Sequence, residues 1–319
     1  LEGADHRLGA LGRQVAVAAQ VQVPGARQVG QVGLFRAAIA AVVGRGGDLN
    51  QAYLQWSSPA DDRLRLGKQA IVYDNARFIG DVVWRQNEQT FSALSFQRLE
   101  LGNFDLRAGY LTKVWRIFGD DVPAGENDLD SWIFNVAYEL EAYGMAVAYW
   151  YDMEDDDIAS FSTRSLGVRW LGAPLGKDGI FGYKLEWATQ QDNANNPISF
   201  NADYLRVDLS LQLGKPQLYI GYESLGGNAA REGAAFNTPF ATLHAFNGWA
   251  DKFLVTPNAG LVDMFGGVKG PVGPWSWNVI WHDFSAESGS EQFGTELDAA
   301  LSRKFDNGIM LLFKAAFFQ

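Results

Sequence analysis

Cysteine is absent from this chain of 319 residues, and histidine occurs only three times. A chain without cysteine has no disulfide framework, no cysteine-ligated zinc and no thiol nucleophile. Three histidines are too few for a histidine-rich metal site, so neither a metal site nor a cofactor is predicted. The net charge of −11 argues against a nucleic-acid partner, because phosphate binding needs a basic face.

Long apolar runs are also absent. The longest candidate, AAIAAVVG at 37–44, is far shorter than the roughly 20 residues of a membrane-spanning helix. The opening residues, LEGADHRLG, lack a charged segment followed by an apolar core, so no signal peptide is predicted. Proline is scarce, with 10 residues, whereas glycine (35 residues) and aromatic residues (13%) are plentiful. That combination is typical of sheet-rich proteins with many tight turns.

The segment 1–47 differs in composition from the rest of the chain. Residues 6–47 contain no Asp, Glu, Ser, Thr, Asn, Lys, Tyr or Trp and consist mostly of Ala, Val, Gly, Gln, Arg and Leu. Three interpretations remain open: a basic flexible arm, a strand pair around RQVAVAAQVQV, or translation of GC-rich DNA in a wrong reading frame. We therefore predict an anomalous segment at 1–47, without assigned function, and a separate domain at 48–319.

From residue 48 onward, apolar and polar residues alternate with the period of two that indicates β-strands. In 203–214, for example, leucine and valine alternate with Tyr204, Arg206, Asp208 and further polar residues. Comparable strands are predicted at 48–56, 62–69, 89–99, 104–118, 131–141, 144–153, 162–171, 182–190, 216–224, 260–268, 275–285, 296–305 and 308–318. These about 14 strands, separated by turn residues, predict a long antiparallel meander.

Two architectures are compatible with this alternation. A soluble β-sandwich buries its apolar faces between two sheets, whereas a membrane barrel turns the apolar face to lipid and the polar face to water. The polar faces carry charges that can pair, such as Lys184 with Glu186, which favours the barrel. Aromatic residues near strand ends also match the girdles of outer-membrane barrels: Trp56, Trp132, Tyr151, Trp170, Trp187, Trp275, Trp281, Phe305 and Phe317. We predict an all-β protein, an antiparallel transmembrane β-barrel, with about 14 strands visible of an incomplete barrel of roughly 16–18.

Candidate catalytic groups are few. Neighbouring carboxylates occur at 61–62, 120–121 and 154–157, but each set lies in a predicted turn, where solvated charges are common. Only the run at 154–157 is an open candidate for Ca²⁺. His282 alternates with Trp281 and is expected to face the lumen. The chain has no G-x-S-x-G elbow and no phosphate-binding loop, and no catalytic residue is predicted.

Basic residues among the polar positions form the candidate solute pathway. Arg63 and Arg65 alternate with leucines, and Arg107 and Lys113 alternate with other apolar positions. Inward arginines in a pore attract anions and set selectivity. The alternative is that each cation is paired with a lumen carboxylate. The predicted pathway residues are Arg63, Arg65, Arg77, Arg85, Arg107, Lys113, Arg116, Lys184 and Arg206.

The stretch FNTPFATLHAFNGWADKFLVTP, residues 236–257, breaks the two-residue rhythm. Prolines near both of its ends favour an ordered loop over a strand, and loops of this length are commonly functional. In a barrel, such a loop can fold inward and narrow the lumen. We predict a constriction loop, with a purely structural extracellular loop and an active site as alternatives. The predicted constriction residues are His244, Trp249, Asp251 and Lys252.

Several stretches resemble the alginate-export family of outer-membrane barrels. They are LNQAYLQW at 49–56, LRLGKQAIVYDNARFIGDVVWRQNEQTF at 64–91, LTKVWRIFG at 111–119, and TPFATLHAF at 238–246 with GWADKFL at 248–254. The resemblance covers about residues 48–319 and implies a large barrel whose charged lumen passes an anionic polysaccharide or smaller anions passively. The segment 1–47 does not show the family's first strands, and LLFKAAFFQ stops before the expected final strand.

Together, the pattern and the resemblance predict a channel in the outer membrane of a Gram-negative bacterium, not an enzyme. Its expected solutes are anions, by resemblance an acidic polysaccharide such as alginate. Its expected partners are the lipid bilayer, lipopolysaccharide and the solute, with periplasmic export proteins as further candidates. The alternatives are an envelope enzyme acting on acidic saccharides, with His244 and Asp251 as its acid and base, and a soluble β-sandwich binding protein.

Overall fold

The computed structural model describes residues 14–19, 34–42, 48–85, 87–119 and 122–319, which contain 16 β-strands and three short 3-10 turns. The strands are β1 (Gln14–Ala19), β2 (Leu34–Val42), β3 (Asp48–Ser57), β4 (Arg63–Gln69), β5 (Thr90–Leu101), β6 (Phe104–Trp115), β7 (Glu126–Leu140), β8 (Gly144–Met153), β9 (Thr163–Gly172), β10 (Phe181–Asp192), β11 (Asn201–Gln212), β12 (Gln217–Leu225), β13 (Leu261–Val272), β14 (Trp275–Ser285), β15 (Gln292–Lys304) and β16 (Met310–Phe318). Within these ranges, no helix has the length and apolar character of a membrane span.

All 16 strands belong to one sheet, in which each strand pairs with its neighbour in sequence. The pairing is antiparallel from the β1–β2 ladder to the β15–β16 ladder. The strands β3 to β16 coincide with the strands predicted from the alternation between residues 48 and 319. The predicted antiparallel meander is therefore confirmed. The β-sandwich alternative is wrong, because a single continuous sheet has no second sheet to cover its apolar side.

The strands β1 and β2 fall within the anomalous segment 1–47, whose other residues lie outside the described ranges. The strand β2 pairs with β3 from Leu34 opposite Ser57 to Val42 opposite Asp48. The described backbone thus continues the sheet across the predicted domain boundary. The origin of this segment, the boundary itself and the incompleteness of the barrel stay predictions.

The two faces of the sheet have opposite character. Trp187 lies in register with Leu205 and Val168 on the neighbouring strands, and all three side chains are exposed. One position away, Glu186 and Ala188 are buried on the other face. Exposed apolar and buried polar side chains reverse the pattern of a soluble core, because apolar surface left in water is unfavourable by roughly 25 cal/mol per Å². The apolar face has the character of the lipid-facing belt of a membrane barrel.

One aromatic residue assigned to the outward girdle lies on the inner face instead. Tyr151 is buried, and its ring packs against Tyr73 and Phe78 with centroids 6.3 and 5.8 Å apart. The reason is strand parity, because Tyr151 is two positions from Tyr149 on β8 and shares its inward face. The prediction for Tyr151 was wrong, whereas Trp187 and Trp281 are exposed on the outer face.

The connections between strands differ in length at the two ends of the sheet. At one end lie the longest connections, residues 70–89 after β4 and residues 226–260 after β12. At the other end, connections such as 102–103 and 273–274 are tight turns, and Gly273 has a φ of 56° that glycine adopts without strain. We call these the long-loop end and the short-turn end. Outer-membrane barrels have the same asymmetry, with long loops outside the cell and short turns in the periplasm.

Gly167 makes room for a tyrosine on the inner face. Tyr149 on β8 stands opposite Gly167 on β9, and its hydroxyl donates a 2.9 Å hydrogen bond to Glu186 on β10. A Cβ atom at Gly167 would lie 2.2 Å from Cζ of the Tyr149 ring. The tyrosine therefore reaches over β9 to β10 only because Gly167, which lies between them, has no side chain.

We expect Gly167→Val to lower the free energy of unfolding by about 1–3 kcal/mol, because the new side chain displaces the Tyr149 ring. Urea unfolding followed by tryptophan fluorescence measures the change. Gly266→Val is the control, because a Cβ there would meet its nearest neighbour, Ile220 Cγ2, at 3.6 Å. Equal losses in the two variants would contradict this role of Gly167.

Candidate solute pathway

Two loops from the long-loop end pack against the inner face of the barrel. The first, residues 70–89, carries Phe78, whose ring centroid lies 5.6 Å from that of Tyr204. The second, residues 226–260, carries Phe236, which stacks on Tyr204 at 5.5 Å. Tyr204 on β11 is buried on the inner face, so both loops enter the lumen. We call these two segments the inner loop pair.

Backbone hydrogen bonds join the two members of the inner loop pair. The Gly80 amide donates to the Phe240 carbonyl oxygen, and the Thr242 amide donates to the Ala76 carbonyl oxygen, each at 2.9 Å. The Gln89 side-chain amide donates to the carbonyl oxygens of both Gly80 and Phe240, at 2.8 and 2.9 Å. The pair is therefore one cross-linked unit inside the lumen.

His244, in the second loop, lies between a carboxylate and an ammonium group. Its Nδ1 is 2.7 Å from Asp251 Oδ1, and its Nε2 is 2.8 Å from the Lys314 Nζ on β16. Because an ammonium group only donates, Nε2 accepts from Lys314 and Nδ1–H donates to Asp251. The His244 ring also packs on Trp84 of the first loop, at 4.2 Å between centroids.

The other predicted constriction residues contact the last two strands. The Trp249 amide donates to Asp298 Oδ2 at 3.0 Å, and Lys314 Nζ lies 4.0 Å from the centroid of the Trp249 ring. Lys252 Nζ is 5.6 Å from the Phe318 ring centroid. The structure thus brings His244, Trp249 and Asp251 together around Lys314. Their role as a constriction stays a prediction.

A polar cavity of about 860 Å³ extends from the start of the first loop toward the short-turn end. Among the described residues that line it, five side chains are basic and one, Asp74, is a carboxylate. We call it the basic cavity. Its basic residues are Arg63, Arg65, Arg107, Arg169 and Lys184.

The cations of the basic cavity differ in the burial and charge of their partners. Arg107 Nη1 donates to the neutral Asn135 amide oxygen at 3.3 Å, and its Nη2 lies 3.7 Å from the partly exposed Asp105 carboxylate. Arg63 pairs with Asp61 at 2.6 Å, but this carboxylate is 61% exposed at the barrel end, where ion pairs contribute little. Arg169 lies 3.5 Å from the buried carboxylate of Glu186.

The remaining predicted pathway residues lie elsewhere. Lys113 pairs with Glu126 and Asp128 at 2.7 and 3.0 Å near the long-loop end. Arg85 stacks over Trp84 with its Cζ 4.1 Å from the ring centroid. Arg116 lies over the Phe161 ring at 5.9 Å. None of these three cations lines the basic cavity.

Arg77 and Arg206 are both engaged with Glu223. Arg77 is only 2% exposed, and its Nε is 2.6 Å from Glu223 Oε1. Arg206 pairs with Glu223 at 3.2 Å and with Asp208 at 2.9 Å. A guanidinium group buried in this way cannot contact a diffusing solute. Arg77 therefore lies within the inner loop pair and away from the basic cavity.

Sequence reasoning missed Arg169, Asp74 and Glu223. Arg169 could have been found from alternation, because it lies between the outward Val168 and Trp170. Its neighbour on the inner face, Gly167, has no side chain, which weakened the pattern. No local signal marks Asp74 or Glu223, because their surroundings come from distant segments.

The carboxylates at 154–157 have local structural roles. Asp155 accepts hydrogen bonds from the backbone amide of Ile158 at 2.7 Å and from the Asn127 side chain at 2.7 Å. The described residues contain no His, Asp or Glu group arranged to hold a metal ion. The pair at 120–121 lies outside those residues. His282 is buried on the inner face, 2.9 Å from Asp263.

This chain resembles known proteins in its three-dimensional structure, whereas the sequence comparisons give no match. No family model and no curated protein sequence matches this chain. OpdL of Pseudomonas aeruginosa superposes with a TM-score of 0.70 over 95% of this chain and 86% of its own, at 15% identity. The chain has the fold of the outer-membrane β-barrel porins. The predicted transmembrane β-barrel is therefore confirmed, and the predicted outer-membrane localisation agrees with it.

Two further solved structures share this porin fold. OccAB2 of Acinetobacter baumannii has a TM-score of 0.67 and 13% identity, over 91% of this chain and 82% of its own. The outer membrane protein OpdK of Pseudomonas aeruginosa has a TM-score of 0.67 and 14% identity, over 95% and 87%. OpdK has also been solved with vanillate. These likenesses show the porin fold and give no support to the alginate-export family.

Proposed function

We infer that the protein is an outer-membrane channel through which small anionic solutes diffuse passively. The observation that carries this inference is the basic cavity, with five basic side chains against the single carboxylate of Asp74 among its described lining. Basic groups in a narrow lumen replace part of the hydration of a carboxylate and raise its local concentration. Asp74 keeps binding weak enough for release. Transport needs no covalent step and no energy input.

The inner loop pair favours small solutes over a long chain, because it occupies part of the lumen. OpdK, which shares the fold, was solved with vanillate, a small carboxylate. An acidic polysaccharide such as alginate is the alternative solute, which the sequence resemblance implies. The bilayer and lipopolysaccharide are the partners proposed with either solute, and periplasmic export proteins are proposed only with the polysaccharide.

The proposed function is tested by the reversal potential of the purified protein in a planar bilayer under a KCl gradient. We expect a chloride preference. Swelling of liposomes in small carboxylates and in oligouronates separates the two solute classes, and uptake of the small carboxylates alone is the expected result. A cation preference would contradict the proposal.

An envelope enzyme is the second candidate, because His244 and Asp251 are hydrogen bonded at 2.7 Å. A general base needs its free nitrogen directed at a substrate proton, whereas His244 Nε2 faces the Lys314 ammonium at 2.8 Å. We expect no turnover of acidic oligosaccharides. Turnover that disappears in His244→Ala would establish the enzyme and remove the passive channel as the main function.

A further inference from the structure

The Arg77 guanidinium joins three separate parts of the barrel. Its Nε donates to Glu223 Oε1 on β12 at 2.6 Å. Its Nη1 donates to Thr238 Oγ1 at 3.0 Å, and its Nη2 donates to Asn247 Oδ1 at 3.1 Å. One side chain of the first loop therefore holds two points of the second loop and the barrel wall.

The charge of Arg77 is balanced at this buried position. Burial by itself lowers the pKa of Arg77, but the Glu223 carboxylate outweighs it and raises the pKa, so the guanidinium stays charged. Glu223 also accepts hydrogen bonds from the Tyr204 hydroxyl at 2.8 Å and the Asn247 amide at 3.0 Å. A charge-assisted network of this kind is strong because both ions are shielded from water.

The first loop has backbone features that need such an anchor. Ala76 and Val82 have positive φ angles of 62° and 52°, which are unfavourable for residues with a side chain, most of all for a β-branched valine. Gly80 lies against the second loop so closely that a Cβ would stand 2.3 Å from Thr242 Oγ1. These contacts persist only while the two loops are held together.

We propose that Arg77 is a positioning residue that fastens the inner loop pair to the barrel wall and thereby sets the bore of the channel. The proposal rests on the inferred channel function and assigns Arg77 no contact with the solute. The residue acts through the position of the two loops, so its loss should change the conductance of the channel.

The test replaces the guanidinium with an apolar side chain of similar length, Arg77→Met. The barrel should still fold, because Glu223 remains paired with Arg206 at 3.2 Å. We expect the single-channel conductance to rise by about twofold or more, with larger current fluctuations, because the loops separate. Arg164→Met is the control, since Arg164 is 42% exposed and its hydrogen-bond partners, Asp152 at 2.8 Å and Asn193 at 2.9 Å, lie outside the inner loop pair.

An engineered disulfide between the two loops should restore the low conductance that Arg77→Met loses. The chain contains no cysteine, so Ala76→Cys with Thr242→Cys introduces the only pair of thiols. The two positions are joined by the 2.9 Å backbone hydrogen bond between the loops. In the Arg77→Met background, oxidation of this pair should restore the low conductance, and dithiothreitol should raise it again.

Hydrogen exchange of the amides at 236–250 in detergent tests the anchoring without any current. Faster exchange in Arg77→Met than in Arg164→Met would support the anchoring role of Arg77. If the native protein carries no current, only the channel function is rejected, and the exchange result still tests the anchor. Unchanged conductance together with unchanged exchange in Arg77→Met would overturn the proposal.

Discussion

Reversing two charges in the basic cavity, with Arg107→Glu and Lys184→Glu together, should abolish the preference for anions. Both side chains line the cavity, and the carboxylate that pairs with Arg107, Asp105 at 3.7 Å, is 31% exposed. The change removes two positive charges and adds two negative ones in a lining that has five basic residues and one carboxylate. We expect the ratio of chloride to potassium permeability to fall by about tenfold, equivalent to about 1.4 kcal/mol.

Reversal potentials in a planar bilayer measure this ratio. The matched control is Arg231→Glu with Lys304→Glu, which makes the same charge change at exposed positions outside the basic cavity. It should alter the ratio far less, because exposed charges are screened by salt. If the control shifts the ratio as much as the cavity variant does, net charge and not the basic cavity sets the selectivity.

Glu223→Leu should cause the largest loss of stability in the molecule. Its carboxylate is buried between Arg77 and Arg206, at 2.6 and 3.2 Å. The substitution leaves Arg77 with only the neutral Thr238 and Asn247 as partners in its hydrogen bonds. Removing one partner of a buried ion pair costs about 3–5 kcal/mol, because the other charge is left without compensation.

The free energy of unfolding in urea, measured in lipid vesicles, reports this loss. Asp61→Asn is the matched control, because it also removes a carboxylate 2.6 Å from an arginine, but one that is 61% exposed. Its expected loss is less than about 1 kcal/mol. If Glu223→Leu were as stable as Asp61→Asn, water or a movement of the loops would have to compensate the charges of Arg77 and Arg206.

Alternation along the chain was sufficient to predict the strands and most of their faces. In 203–214 the polar residues Tyr204, Arg206 and Asp208 all occupy the inner face, because successive side chains of a strand point to opposite sides. The same rule placed His282 inside and Trp281 outside correctly. It failed for Tyr151, where aromatic character was given more weight than parity.

Only the tertiary structure shows which of the predicted pathway cations line the basic cavity and which contact the inner loop pair. Arg77 and Glu223 are 146 residues apart in sequence, and no local pattern pairs them. Alternation assigns a side chain to a face, but the loops that fold onto that face come from distant parts of the chain. The inner loop pair therefore buries Arg77 and leaves Lys184 exposed to the basic cavity, although both were predicted as solute contacts.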